Sequence, residues 1–248
     1  MLSVGNEWTH SHFGGDFLMS QPDESLPAVS LTFVRSRDGN TVAQNLADLR
    51  NGDTDLYLIN EGLTRVAADA VLVGARTATG RAFFSVWHPD LVALRQDLGL
   101  PRHPVQIVVS FDGNLDVENT LLFNVPSVPV VVIAGPRCRE RWRHLERPGL
   151  TVIPTETPDL TLALRELRRR AIERIAVVGG RSTASSLIDA GLAQDLYLTT
   201  TLTAAGKPGT PFYMGSRQLR LTSVVRKRML GGRGEPSVHF EHFKVSRV

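Results

Sequence analysis

Glu173 to Leu198 reads ERIAVVGGRSTASSLIDAGLAQDLYL, an order of residue types that spells strand, turn, helix, turn and strand. Ile175-Ala176-Val177-Val178 is a short apolar run rich in β-branched residues, the pattern of a strand buried on both faces. Gly179-Gly180 ends it, Ser182 or Thr183 can cap a helix over Ala184 to Ala190, and Gly191 stops that helix. A strand that feeds a Gly-Gly turn and a helix gathers unpaired backbone N–H groups and the positive end of the helix dipole at one point, which favours a phosphate. Adjacent glycines let a ligand touch the backbone, since no Cβ stands in the way. The same residues also fit a tight connection with the hydroxyls serving as caps, and the segment alone leaves both readings open.

Working outward, the same alternation recurs upstream. Ala28 to Val34 reads as a strand that breaks into Arg35-Ser36-Arg37-Asp38-Gly39-Asn40, where Asp-Gly signals a turn. Loops just past strand ends are also where open α/β sheets bind ligands, so Asp38 reads equally as a turn former or a ligand contact. Thr41 to Thr54 is polar and reads as loop, and Asp55 to Ala68 carries apolar Leu56, Ile59, Leu63 and Val66 at helical spacing. Arg65 near the end of that helix complements its dipole. Ala70 to Val73 is a second strand, followed by the small-residue loop Gly74 to Gly80, and a short helix is expected at Leu91 to Asp97. Further strands are expected at Val105 to Val109, Val128 to Ala134 and Thr151 to Pro154, with a helix over Arg139 to Leu145. Thr157-Pro158-Asp159 opens a helix with a cap and a proline at its first position, burying Leu160, Ala163, Leu164, Leu167 and Ala171.

After Asp195 the pattern changes. Leu196 to Thr203 reads as a strand, and Leu219 to Met229 and Ser237 to Val245 read as an antiparallel pair joined through Gly231-Gly232-Arg233-Gly234. The chain is thus α/β: a three-layer α/β/α arrangement with a mainly parallel central sheet and antiparallel C-terminal strands. Residues 1 to about 26 are polar, contain glycine and show no period, so they read as a flexible arm ahead of a single domain over 27–248. His10 and His12 lack nearby partner ligands and are not read as a metal site.

Bulk properties narrow the function. A hydrophobic fraction of 42% with 21% charged residues supports a sizeable core. The single cysteine, Cys138, excludes an internal disulfide and a multi-thiolate metal cluster, which fits a reducing cytoplasm. No apolar run approaches the ~20 residues of a membrane span, and no basic-then-apolar leader opens the chain. The balance of 28 Lys+Arg against 25 Asp+Glu is a modest +3, and the arginines of Arg165 to Arg174 lie on an amphipathic helix without interleaved aromatics. Nucleic acid is therefore not the expected partner; a phosphorylated small molecule is.

In a parallel sheet the strand ends share one edge. That edge would gather Ser36, Asp38, Thr77, Ser110, Gly135, Gly179 and Gly180, a set that suits an extended phosphate-bearing ligand such as a dinucleotide. The usual G-x-G-x-x-G fingerprint does not follow the first strand, and no acidic residue lies at the ribose distance, so a dinucleotide would bind in another frame.

The chain resembles the pyrimidine reductases of riboflavin biosynthesis, the reductase half of the bifunctional deaminase–reductase, which have a dihydrofolate-reductase-like fold. The likeness covers about residues 28 to 245 and is carried by Ser36-Arg37-Asp38-Gly39 (S-x-D-G), Ala68 to Thr77 (A-D-A-x-x-x-G-x-x-T), Gly179-Gly180 and Gly191 to Leu196 (G-L-x-D-E-L). The resemblance implies NADPH as hydride donor and a ribosylaminopyrimidine 5′-phosphate or a related heterocycle as substrate. It implies that Ser36, Thr77, Ser110 and the turn Gly179, Gly180, Arg181, Ser182, Thr183, Ala184 and Ser185 hold NADPH. It further implies that Arg65 binds the substrate phosphate, that Asp38 serves catalysis beside the reacting rings, and that the protein is a homodimer. The chain departs from the family pattern at Val178, where Glu is usual, at Thr32, where Lys is usual, and near Arg81, where an acidic residue is usual. The deaminase signature, an H-x-E together with P-C-x-x-C, is missing from the sequence, and one cysteine cannot supply its zinc site.

Overall fold

The computed structural model describes residues 1–42, 54–138, 148–157, 159–202, 204, 206–215, 217–229 and 238–247. The helix expected over Arg139 to Leu145, most of the loop Thr41 to Thr54, Pro158 and the Gly231–Gly234 turn lie outside them. Two short strands, β1 (Leu2–Val4) and β2 (Phe17–Met19), pair with each other. A second, nine-stranded sheet contains β3 (Ala28–Arg35), β4 (Ala70–Gly74), β5 (Val105–Ser110), β6 (Val130–Ala134), β7 (Leu150–Pro154), β8 (Arg174–Val178), β9 (Asp195–Thr200), β10 (Leu219–Met229) and β11 (Val238–Arg247).

The order across that sheet is β10-β11-β9-β3-β8-β4-β5-β6-β7. From β9 to β7 every neighbouring pair is parallel, whereas β11 pairs antiparallel with both β9 and β10. This is the α/β, mainly parallel, dihydrofolate-reductase-like arrangement that the resemblance implies. The chain runs outward from β4 to β7 and then returns to insert β8 between β3 and β4. The insertion puts the Gly179-Gly180 turn between the ends of the first two strands of this sheet.

Side-chain parity explains the layers. Val29, Leu31 and Phe33 of β3 and Val177 of β8 join one core, packed under two helices, Thr161–Arg169 and Arg181–Ala190. The alternate residues point to the opposite face, where Tyr197 and Phe240 join Ile59, Leu63, Phe13 and Phe17 in a second cluster. The helix Thr161–Arg169 buries Ala163, Leu164 and Leu167 and turns its arginines outward, where Glu166 pairs with Arg170 at 2.8 Å.

Several expectations are corrected. Residues 1–26 are not a loose arm: β1, the helix Glu7–His12 and β2 form a small unit whose Phe13 and Phe17 are 4% and 0% exposed. Its elements are too short to show a period in sequence, and its partner surface lies near the other end of the chain. The unit is tied to β9, where Asp195 accepts from the Ser20 backbone N–H at 2.8 Å and Tyr197 donates to the Leu18 carbonyl at 3.1 Å.

The helix expected to open at Thr157 starts at Thr161, with the Asp159 carboxylate accepting its backbone N–H at 2.8 Å. Ala171 does not belong to that helix; it is exposed and adopts a left-handed conformation (φ 62°) as the chain turns into β8. The helix expected from Asp55 to Ala68 is a wide-turned π-type helix over Thr54–Leu63. β9 ends at Thr200 rather than Thr203.

Candidate active site

The helix after β8 begins at Arg181, earlier than its Ser/Thr residues suggest. Gly180 is its cap residue, in a left-handed conformation (φ 83°), and no side chain caps it. Gly179 is left-handed as well (φ 73°). Two successive residues at positive φ are readily adopted only by glycine. The first intrahelical bond runs from the Ala184 N–H to the Gly180 carbonyl at 3.0 Å. The N–H groups of the first turn therefore have no partner within the helix, and their positive end faces outward.

What they face is a cleft of about 460 Å³ at the carboxyl ends of β4, β5 and β8. Its walls are Gly74 to Thr77 from β4, Ser110 to Asp112 from β5, and Gly180, Ser182 and Thr183 from the helix start. Glycine permits the close approach: a Cβ on Gly74 would stand 2.9 Å from the Thr183 hydroxyl, and one on Gly179 would stand 3.7 Å from Thr77. Arg76 supplies a cation beside the helix start, its guanidinium 3.4 Å from the Ser182 hydroxyl. Across the cleft Asp112 accepts from the Asn114 N–H at 3.2 Å and from Ser110 at 3.1 Å. These bonds, that to Asn114 foremost, hold its carboxyl below the ordinary carboxylate range.

The structure thus brings together Thr77, Ser110, Gly180, Ser182 and Thr183, with Gly179 against Thr77. Other expected site residues are placed elsewhere. Ala184 is buried, Arg181 reaches the Pro211 carbonyl at 3.4 Å, and the Ser185 hydroxyl accepts the Met214 N–H at 2.9 Å.

Ser36 and Asp38 are not among the residues that wall the cleft. Ser36 is 0% exposed and donates to the Asp38 carboxylate and, at 3.1 Å, to the Asn40 carbonyl. Asn40 also donates to Asp38 at 3.0 Å and accepts the Thr210 N–H at 3.0 Å. The Ser36 and Asn40 hydrogen bonds hold the exposed Asp38 carboxyl below its usual range. The turn that Asp-Gly signals is therefore present, and Asp38 is engaged in it as an acceptor.

Arg65 lies at the opposite edge of the sheet. Its guanidinium donates to the Ser85 carbonyl at 3.0 Å and stacks 5.5 Å from the Phe84 ring. Its own carbonyl accepts from the buried Arg95, which also binds the carbonyls of Val66 and Ala68, just ahead of β4. Burial lowers the Arg95 pKa to about 10, so the guanidinium stays charged at neutral pH. Gly74, Arg76 and Asp112 are cleft residues that the sequence reading did not single out. The signal was there for Gly74, which stands in the G-x-x-T motif.

Together, the parallel sheet and the uncapped helix start define an α/β protein whose cleft gathers free backbone N–H groups, hydroxyls and a guanidinium at the carboxyl edge of the strands. The family model for the RibD C-terminal domain matches residues 27–229, and the chain belongs to that family. A curated relative from Methanothermobacter thermautotrophicus, a 2,5-diamino-6-ribosylamino-4(3H)-pyrimidinone 5′-phosphate reductase, is 26% identical over 171 residues, covering 68% of this chain and 75% of the relative. A protein of the same name from Archaeoglobus fulgidus is 25% identical over 173 residues, covering 68% and 78%. Among solved structures, a pyrimidine reductase-like protein from Corynebacterium diphtheriae superposes with a TM-score of 0.71 at 24% identity, covering 90% of this chain and 93% of that one.

Proposed function

We propose that this protein is an NADPH-dependent reductase of a ribosylaminopyrimidine 5′-phosphate, the substrate class in the names of its curated relatives. The observation that carries the reading is the uncapped helix start, with Gly180 at positive φ, opening on the cleft. A diphosphate suits such a helix end, where backbone N–H groups and the dipole favour negative charge. Gly179 and Gly180 let it approach the backbone, and Thr77, Ser182 and Thr183 offer hydroxyls around it. Arg76 supplies a cation for a further phosphate, which favours NADPH over NADH.

The nicotinamide, when bound, supplies the hydride. The contribution of the chain is then placement: strand ends that hold cofactor and substrate side by side, and a rim narrowed by Gly74 against Thr183. Asp38, held ionised in its turn, does not act as a proton donor at neutral pH; its role is to fix the loop from β3 to Thr210. The resemblance and the edge strand β10 support a homodimer. No helix among the described residues is long and apolar enough to cross a membrane, and a cytoplasmic biosynthetic enzyme is the setting in keeping with that. A second reading, a nucleotide binder without turnover, is favoured by Val178 and Thr32, apolar or neutral where the resembled reductases carry charge.

One assay separates the two. The purified protein is mixed with NADPH and the ribosylaminopyrimidine phosphate, and loss of reduced nicotinamide is followed beside NADPH affinity. The reductase reading expects pyrimidine-dependent oxidation in the wild type. In Gly180→Val it expects NADPH affinity lower by at least about tenfold, since a branched side chain at positive φ strains the turn and enters the diphosphate's space. NADPH binding without oxidation selects the second reading; unchanged NADPH affinity in Gly180→Val removes the assignment of the cleft.

A further inference from the structure

We propose that residues 206–215 form a strap that couples the helix Arg181–Ala190 to the Ser36–Asn40 turn, with Ser185 and Tyr213 as its positioning residues. The coupling rests on the reading of the cleft as a cofactor site. The strap belongs to the connection from β9 to β10, and none of its residues lies in a helix or a strand.

The helix divides its polar residues between two faces. Ser182, Thr183 and Ser186 wall the cleft. Arg181, Ser185 and Asp189 follow one another at intervals of four and so line a neighbouring face. Each of the three grips the strap. Arg181 donates to the Pro211 carbonyl at 3.4 Å, the Ser185 hydroxyl accepts the Met214 N–H at 2.9 Å, and the Asp189 carboxylate accepts the Tyr213 hydroxyl. The Tyr213 oxygen in turn accepts the Arg217 N–H at 3.1 Å.

The other end is held as closely. The buried Thr210 donates its N–H to the Asn40 side chain at 3.0 Å, and its carbonyl accepts the Thr41 N–H at 2.7 Å and the Thr41 hydroxyl at 2.8 Å. The Lys207 N–H donates to the Val42 carbonyl at 2.6 Å. Asn40 also binds Asp38, so one side chain serves both the strap and the turn. Between the two anchors the Phe212 ring lies 5.9 Å from the Phe33 ring of β3. Both ends need glycine for want of room. A Cβ on Gly206 would collide with Ser36 and Asn40, and one on Gly215 with the Tyr213 hydroxyl.

A segment held by its two ends opens locally when either end is released. Arg181 belongs to the first turn of the helix, between Gly180 and Ser182. Release of the strap therefore loosens the residues on which a ligand would sit. A ligand on that turn favours the closed strap in return, and with it the ordered turn beyond β3.

The test is amide hydrogen exchange at Thr210, the far anchor, followed by NMR on the full chain with and without NADPH. Without cofactor, exchange should be about fivefold faster in Ser185→Ala and in Tyr213→Phe than in wild type, the effect of one lost hydrogen bond. Asp189→Asn keeps an acceptor for Tyr213 and should stay within about twofold of wild type. NADPH should slow exchange about fivefold in wild type and less than about twofold in the double variant Ser185→Ala/Tyr213→Phe, whose NADPH affinity stays within about threefold. Equal cofactor-free exchange in wild type and both single variants overturns the strap. Bound NADPH that leaves Thr210 exchange unchanged in wild type, or slows it equally in the double variant, overturns the coupling. A wild type that does not bind NADPH overturns the cofactor reading and the coupling with it, and the cofactor-free comparison still decides the strap.

Discussion

Arg65 and Gly74 are close in sequence, yet they stand at opposite edges of the sheet. Gly74 ends β4 at the cleft, whereas Arg65 precedes β4 and bonds the Ser85 carbonyl at the far edge. An extended strand of five residues separates its two ends by roughly 15 Å at ~3.3 Å per residue, farther than a guanidinium reaches from the wrong edge. From that placement we expect its role to be structural. Arg65→Ala should lower the melting temperature by roughly 3–6 °C, from about 1–2 kcal/mol of lost hydrogen bonding and ring contact. KM for substrate and Kd for NADPH should both stay near wild type. Thermal unfolding and steady-state kinetics check this, and a selective rise in substrate KM would return Arg65 to the phosphate site. The resemblance named the residue; sequence position alone does not say at which edge a helix ends, and that decides what its side chain meets.

At the scale of elements, the link between the N-terminal unit and the sheet rests on Asp195. The buried carboxylate meets His242 at 2.8 Å and Lys244 at 2.8 Å from β11, and the Ser20 N–H from the segment after β2. Burial pushes the Asp195 pKa up, but hydrogen bonds from His242, Lys244 and Ser20 outweigh it and hold the group below the ordinary range. A carboxyl whose folded pKa is depressed stabilises the fold above its unfolded pKa, near ~3.9, and that stability is lost as pH falls through the lower folded value. Asp195→Asn should therefore unfold more easily than wild type at neutral pH and show a shallower loss of stability on acidification. The difference between denaturant midpoints of the two proteins, taken from pH 7 downward, measures it. A constant difference at all pH values would contradict it. Asp195→Ala should cost about 3–5 kcal/mol by leaving its buried partners unpaired. The Gly191–Leu196 motif drew attention to this residue, but its partners are supplied by pairings of β9 with β11 and with the N-terminal unit. Such long-range pairings leave no local periodicity, which is also why residues 1–26 read as an arm. The glycine turn, by contrast, was legible because φ beyond +70° at Gly179 and Gly180 is a local demand that only glycine meets cheaply.

For the whole molecule, the decisive feature is the return of β8 into the centre of the sheet, between β3 and β4. Alternating strands and helices in the sequence point to a parallel sheet, and the glycine and hydroxyl residues at strand ends point to its functional edge. The order of strands is set by packing between distant segments and was not legible; it determines that β4, β5 and β8 share a cleft while the Ser36–Asn40 turn stands outside its walls. The central claim is that this cleft holds a nicotinamide nucleotide with its diphosphate on the helix that starts at Arg181. A crystal structure of the protein with NADPH tests it most directly. Diphosphate oxygens are expected within hydrogen-bond distance of backbone N–H groups between Gly180 and Thr183, beside Thr77. A diphosphate bound elsewhere, with that helix start facing only solvent, would contradict it.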